Sequence, residues 1–500
     1  MSAPQTEVFF TFTKQMRLRR SIFLFIGLIN GINVYSQKYS PEVEARIKKV
    51  ENNLSNWAQA EGIPNWNIHD RMKLYHTNGV SVAVIKDFKL DWARGYGFAD
   101  TSEGKKTTSA TLFQVASASK SLAAMGVLKL VQEGKIVSTK DINTYLTSWK
   151  FPYDSIAKGK TISIEDLLNH TAGVSTPSFA GYASKDTLPS LIQVLNGERP
   201  ARNSKIHSMS EPRSKSEYSG GGYVIAQQIV QDVSGTTFED YMRKNVLLPL
   251  GMTQSFFTQP PPASKKPLLA AGYYENGQQV PGKYKIYPQQ AAAGMWSTPT
   301  DLAKYIIEMQ LSLQGRSNKV LSKDMAQHSL VPFDSTAALG NFITNRSGAK
   351  YFAHGGGNEG FTCQFFGSLE NGNGVVIMAN NNANTLLDEI AHSVATVYNW
   401  PNFYRPEKKK PITLPSDSLD KFVGMYKFEK FTLEIIKQKD KLILSIGSTP
   451  CELHFTTTND FFLFEWKGSN FTFAYDKDHN VKTIRNKQNN IVGYRLKPRS

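Results

Sequence analysis

The chain has 500 residues, 40% hydrophobic and 20% charged, which excludes wholesale disorder and collagen-like fibres and leaves room for about three domains. Its 58 Lys and Arg outnumber 42 Asp and Glu, a balance of +16. The basic residues are scattered, and no RRM, zinc-finger or helix-turn-helix signature accompanies them, so the charge reads as a solvated surface and not as a nucleic-acid footprint. Two cysteines, Cys363 and Cys451, are too few for a disulfide scaffold or a cysteine-rich metal site.

In chain order, Met16-Arg17-Leu18-Arg19-Arg20 precedes an apolar run from Ile22 to Val34, too short and too polar to span a bilayer. Residues 1–36 are therefore expected to be a secretory signal peptide, with Met16 an alternative start. No later apolar stretch is long enough to span, so the mature chain is expected to be exported, periplasmic or secreted. Val80 to Ile85 and Lys89 to Gly95 read as a hairpin around the Lys86-Asp87 turn. Ser121 to Glu133 has helical periodicity and stops at Gly134; Ile164 to His170 is a second, short helix. Ser297-Thr298-Pro299-Thr300-Asp301 opens a third with a hydroxyl cap, a first-turn proline and an acid at the positive dipole end. Val375 to Ala379 is a buried strand and Thr385 to Tyr398 a closing helix. Residues 405–411, rich in proline and charge, are expected to be a linker. Phe431 to Ile436, Leu442 to Ile446, Phe461 to Phe464 and Phe471 to Tyr475 then predict a small all-β domain over 412–500.

Three motifs carry chemistry. Ser-x-x-Lys starts at Ser102, Ser117, Ser155, Ser347 and Ser418, but only Ser117-Ala118-Ser119-Lys120 enters a long amphipathic helix. There the hydroxyl sits at the positive dipole end and Lys120 falls one turn on, near enough to take its proton if burial lowers the lysine pKa. The alternative is a serine cap with a solvated lysine. Glu217-Tyr218-Ser219-Gly220-Gly221-Gly222 places a tyrosine beside a glycine turn and ahead of a helix, where a phenol can exchange protons; on spacing alone the favoured reading is a turn aromatic covering the core. In His354-Gly355-Gly356-Gly357 the glycines permit close backbone approach and an oxyanion hole, though a plain turn between strands would look the same. His354 has no partner at metal-ligand spacing, so no metal site is expected.

In this order and spacing, Ser117-x-x-Lys120, Tyr218-Ser219-Gly220 and His354-Gly355-Gly356 resemble the serine β-lactamase and penicillin-binding-protein superfamily, nearest its class C β-lactamase-like serine hydrolases. Leu167 to Gly173 and Ala293-Gly294-Met295-Trp296-Ser297 look similar too. The resemblance implies an α/β (α+β) fold over residues 37–404: a central antiparallel sheet flanked by helices, plus an all-helical lobe, with the site between them. It implies Ser117 as nucleophile, Lys120 and Tyr218 as proton shuttle, and the N–H groups of Ser117 and Gly357 as oxyanion donors. His354, Gly355, Gly356 and Gly220 would contact a small-molecule or peptide substrate. No cofactor is implied, and nothing specifies an oligomeric state.

Two departures shape the expected activity. Gly220 stands where the family usually has asparagine, which removes a contact to the substrate's acyl amide, and His354 stands where many relatives carry lysine. Both point toward a peptidase or esterase acting on a D-amino-acid peptide or ester; the alternatives are a true β-lactamase and a catalytically silent penicillin- or muropeptide-binding protein. With an ordinary imidazole pKa of ~6.5, His354 is expected to attract a substrate carboxylate increasingly as pH falls from about 8 to about 6.

Overall fold

The computed structural model describes residues 39–496 apart from position 335. The expected signal peptide, 1–36, lies outside the described residues. The centre is a seven-stranded antiparallel sheet of β1 (Gly79–Lys86), β2 (Lys89–Asp100), β3 (Lys105–Lys106), β4 (Phe342–Arg346), β5 (Ala349–Asn358), β6 (Phe361–Ser368) and β7 (Gly374–Ala379), in the spatial order β3-β2-β1-β7-β6-β5-β4. The predicted hairpin is therefore present, with its second strand longer than the Lys89 to Gly95 run suggested.

Strands β1 and β7 read as nearly continuous apolar runs, broken in β1 by the buried Ser81, because both of their faces are covered. Ala83, Ile85, Val376 and Met378 join the large core that includes Leu302 and Ile306 of the helix Pro299–Leu313. Val82, Val84, Val375 and Ile377 are as deeply buried and alternate with them, so they face the other side. The helix Asn384–Val397 packs on β7 and β6 and against the helix Pro41–Glu51. Thr298 caps the Pro299–Leu313 helix by accepting from the Asp301 N–H at 3.1 Å, as the hydroxyl-proline-acid pattern predicted.

The helical lobe is built on Ser119–Gln132 and Gly220–Ser234, here α1 and α2, with the short helices Ile164–Leu168, Leu191–Asn196 and Phe238–Met242 around them. Leu122, Leu128, Leu167, Leu168, Ile225 and Ile229 share one continuous core with the sheet. Lobe and sheet are thus one packed body whose seam carries the site.

After residue 423 the chain forms a nine-stranded antiparallel sheet ending at Arg495, with its own core of Phe422, Tyr426, Ile435, Leu444, Phe461, Phe473 and neighbours. Its two edge strands, Thr449–Glu452 and His454–Phe455, are consecutive in sequence, so the sheet curls until its edges nearly meet. Within the segment 405–411, Glu407–Lys409 pairs in parallel with Ala58–Ala60, which anchors that charged stretch to the first part of the chain. Trp57, Ala58 and Ala60 form an apolar cluster with Phe462 and Phe464 of the β module. Trp57 Nε1 donates to the Leu463 carbonyl at 3.0 Å, and Arg71 reaches Glu389 at 2.6 Å and Glu465 at 3.1 Å.

Candidate active site

Ser117 lies in a 3-10 turn, Ala116–Ala118, that feeds directly into α1. Ala116 is held at φ +48, a left-handed conformation an alanine adopts only when its surroundings impose it. The imposing contacts are visible. Val115 N–H donates to the Met295 carbonyl at 3.1 Å, and Ser119 Oγ accepts from Met295 N–H at 3.0 Å, tying both sides of the turn to the Gly294-Met295-Trp296 segment.

Lys120 follows in the first turn of α1 and is only 1% exposed. Its Nζ is 3.0 Å from Ser117 Oγ and 2.7 Å from the Ala292 carbonyl, and no carboxylate pairs with it among the described residues. Burial without a counter-charge penalises the ammonium and brings the pKa down to about 7. A neutral Lys120 still donates to Ala292 O and, as an amine, is chemically able to accept a proton from the neighbouring Ser117 hydroxyl.

Tyr218 immediately precedes α2. Ser219 caps that helix by accepting from Gly222 N–H at 3.0 Å, donates its own hydroxyl to the Ser175 carbonyl at 2.9 Å, and gives its N–H to His170 Nδ1 at 3.2 Å. The His170 ring packs on Tyr218 with centroids 4.4 Å apart, and Lys120 Nζ lies 4.9 Å from the Tyr218 ring centre. The residue is 38% exposed overall, and its hydroxyl is hydrogen-bonded with Ser117. Burial raises the phenol to about 12, against the smaller opposite pull of its hydrogen bond to Ser117, so it stays protonated near neutral pH.

The third wall is the end of β5. Its pairing with β4 stops at Phe342↔Ala353, whereas its pairing with β6 runs on from His354↔Phe365 to Asn358↔Phe361. From His354 onward one edge of the strand is therefore free of a strand partner, and the turn bearing Ser117 packs against β5. The approach is so close that a Cβ at Gly356 would fall 2.2 Å from the Val115 carbonyl oxygen and 2.7 Å from Ser117 N. Only glycine fits. Gly355 and Gly357 on either side are exposed. Asn358 Nδ2 pins the strand end to Gln114 Oε1 at 2.7 Å and to the Ala293 carbonyl at 3.1 Å.

His354 does not fit the expected charge-reading role. It is 4% exposed, packed between Phe342 and Tyr218, and its Nδ1–H donates to the Gly355 carbonyl at 2.5 Å, which leaves Nε2 as a buried acceptor without a partner. Burial first, then the Lys120 charge, bring its pKa down to about 3, so the imidazole is neutral from pH 6 to 8. Gly220, grouped in sequence with the substrate contacts, is buried at the start of α2 under residues 176–179. Among the described residues no cluster of three or more His, Cys, Asp or Glu side chains could hold a metal.

The Beta-lactamase family model matches residues 66–397, which include all three walls of this cleft and more than half of the chain. The chain belongs to the beta-lactamase family. Within the serine β-lactamase and penicillin-binding-protein superfamily, it is 26% identical to Protein flp of Staphylococcus aureus (strain N315), over 67% of this chain and 66% of that protein, just under two-thirds of its length. Among solved structures it resembles an octameric penicillin-binding protein homologue from Pyrococcus abyssi (TM-score 0.59, 21% identity, 85% of this chain and 98% of that one). It also resembles a D-amino acid amidase from Ochrobactrum anthropi SV3 (TM-score 0.55, 20% identity, 71% of this chain and 99% of that one). At these identities the two structures establish the fold alone.

Ser117, Lys120 and Tyr218, spread over about a hundred residues of this beta-lactamase-family chain, lie together in space, with Gly356 against the Ser117 turn. Sequence reasoning missed the Ala292 carbonyl that holds Lys120, the Asn358–Gln114 pin, and His170 behind Tyr218. Only His170 left a signal, in the Leu167 to Gly173 stretch; the others act through backbone or through an amide with no distinctive spacing.

Proposed function

We propose that this protein is an exported serine hydrolase that cleaves an amide or ester of a D-amino acid through an acyl-enzyme. The observation that carries the proposal is the 3.0 Å contact between Ser117 Oγ and a buried, unpaired Lys120 whose pKa is about 7. Such a lysine is a base at neutral pH. As Ser117 Oγ attacks the substrate carbonyl, its proton passes to Lys120 Nζ and the carbonyl electrons move onto oxygen. Backbone N–H groups at Ser117 and Gly357 receive that oxyanion. Collapse breaks the bond to the leaving group, which takes a proton from the Tyr218 hydroxyl, and Lys120 returns a proton to the phenolate. Water then attacks the acyl-enzyme along the same path in reverse, restoring Ser117. Neutral His354 orients the β5 edge and offers Nε2 as an acceptor rather than a charge.

The D-amino-acid preference draws on the amidase neighbour and on the two departures at Gly220 and His354. Export draws on the charged-then-apolar stretch before residue 36, and no helix among the described residues is long and apolar enough to cross a membrane. The functional division proposed is a hydrolase domain over 37–404 and a β-rich domain over 412–500. Labelling with a fluorescent penicillin or fluorophosphonate tests the proposal: wild type should be modified at Ser117, and Ser117→Ala should lose both labelling and turnover while folding normally. Persistent labelling of Ser117→Ala would overturn it.

A further inference from the structure

Strand β7 is followed by three consecutive asparagines, Asn380, Asn381 and Asn382, whose side chains bond the backbone of other segments. Asn380 Oδ1 accepts from Gly79 N–H at 2.6 Å and its Nδ2 donates to the Phe98 carbonyl at 3.1 Å, at the start of β1 and near the end of β2. Asn381 Nδ2 donates to the Tyr75 carbonyl at 2.9 Å. Asn382 serves the cleft instead. Its Oδ1 accepts from Gly360 N–H at 3.2 Å, and its Nδ2 donates to the carbonyls of Asn358 at 3.0 Å and Phe361 at 3.3 Å. One half-buried amide therefore holds the last residue of β5, the first of β6 and the Glu359-Gly360 turn between them.

The register connects that turn to the oxyanion wall. Asn358 faces Phe361 and Gly357 faces Thr362. Facing pairs in antiparallel strands alternate between those that exchange backbone hydrogen bonds and those that do not, and the pair flanking a two-residue turn exchanges them. Gly357 thus belongs to a pair that does not, and its N–H points to the strand edge that β4 leaves free. A Cβ at Gly357 would lie 3.9 Å from Asn382 Nδ2, so the amide lies against the strand at this residue. The other fastenings at the strand end hold side chains or the turn: Asn358 Nδ2 to Gln114 and Ala293, Glu359 Oε1 to Tyr274 OH at 2.6 Å, and Glu359 N–H to Tyr287 OH. Asn382 bonds main-chain atoms of both strands.

We infer that Asn382 is a positioning residue for the oxyanion donor: by closing the β5–β6 turn it holds Gly357 N–H where charge develops on the reacting oxygen. The inference deepens, and rests on, the serine-hydrolase reading. A donor fixed in advance stabilises that charge without reorganising, and a displacement of about 1 Å costs about a hundredfold in rate. Loss of one clamping amide, with the other fastenings intact, should cost about tenfold.

The test compares the rates at which Ser117 is labelled by an alkyl fluorophosphonate and by its thiono analogue, in which sulfur replaces the phosphoryl oxygen. Each rate is divided by that probe's reaction with hydroxide. Sulfur is the weaker hydrogen-bond acceptor, so wild type should favour the oxygen probe by about tenfold or more. Asn382→Ala should lose about tenfold with the oxygen probe and much less with the thiono probe, so that the ratio shrinks several-fold. Asn382→Asp keeps the size and the acceptor for Gly360 N–H but lacks both donors; it should shift the ratio the same way, and it decides if the alanine variant does not fold. General loosening of the fold lowers both rates alike. An unchanged ratio in these variants, with Ser117 still labelled, overturns the role of Asn382 and leaves the hydrolase reading standing. Failure of the wild type to react at Ser117 overturns that reading, and the inference with it.

Discussion

Replacing Lys120 with methionine separates the cost of the base from its use. The side chain is 1% exposed and its pKa falls from 10.5 to about 7, because burial penalises the charged form. Between those values the unfolded chain holds a proton that the folded chain has released, so wild-type stability rises with pH across about 7 to about 10.5. Integrated over the shift, the buried lysine costs the fold about 4 kcal/mol at pH 7 and about 1 kcal/mol at pH 9.5. Methionine has nearly the same shape and removes that cost, but it leaves the Ala292 carbonyl without its 2.7 Å donor, a loss of about 1–3 kcal/mol. Lys120→Met should therefore be more stable than wild type by about 1–3 kcal/mol at pH 7 and should lose that advantage by pH 9.5, while its turnover falls by several orders of magnitude. Urea unfolding followed by tryptophan fluorescence at pH 7, 8 and 9.5, with kcat/KM measured in parallel, gives both quantities. A variant destabilised by the same amount at every pH would refute the argument, since it would mean that Lys120 is not held neutral by burial.

Gly356→Ala should reduce kcat by about a hundredfold or more and cost about 1–3 kcal/mol, because its Cβ would fall 2.2 Å from the Val115 carbonyl oxygen and push β5 off the Ser117 turn; kcat and Tm check both. For His354, with a pKa of about 3 in the fold, the ratio of kcat/KM for a carboxylate-bearing and a neutral substrate should not rise from pH 8 to pH 6. Because the unfolded imidazole takes its proton first, stability should drop as pH falls from about 6.5 toward about 3, and His354→Gln should flatten that drop in a pH series of Tm values. Ending the chain at Lys410 removes Phe462 and Phe464 from Trp57 and Ala60 and takes Glu465 from Arg71, so residues 37–410 should show a lower Tm and a lower soluble yield than the full chain; an unchanged Tm would show that the seam contributes no stability.

The motif order carried the family, and local pattern carried much of the scaffold. Val80 to Ile85 and Val375 to Ala379 announce strands buried on both faces, and Thr298-Pro299-Thr300-Asp301 announces a helix start, because hydrophobic period and capping chemistry act between near neighbours. Ser117-x-x-Lys120 was legible for the same reason, as a one-turn spacing. Curling of the last nine strands into a nearly closed sheet was not, since pairings such as that of Tyr426 with Arg495 join residues far apart in the chain. The charged 405–411 stretch reads as a linker, yet its Glu407–Lys409 pair with Ala58–Ala60, a partner more than three hundred residues earlier that sits beside the Trp57–Phe462 contact.

The site divides along the same line. Residue types and their order determined which side chains could be nucleophile, base and proton carrier. Tertiary structure alone decided their states: distant segments bury Lys120 without a carboxylate and bring its pKa down to about 7, and burial also keeps His354 neutral. It also decided why position 220 is glycine, since residues 175–179 cross the start of α2 there. Desolvation and close approach depend on what surrounds a group in space, and a spacing along the chain does not contain that.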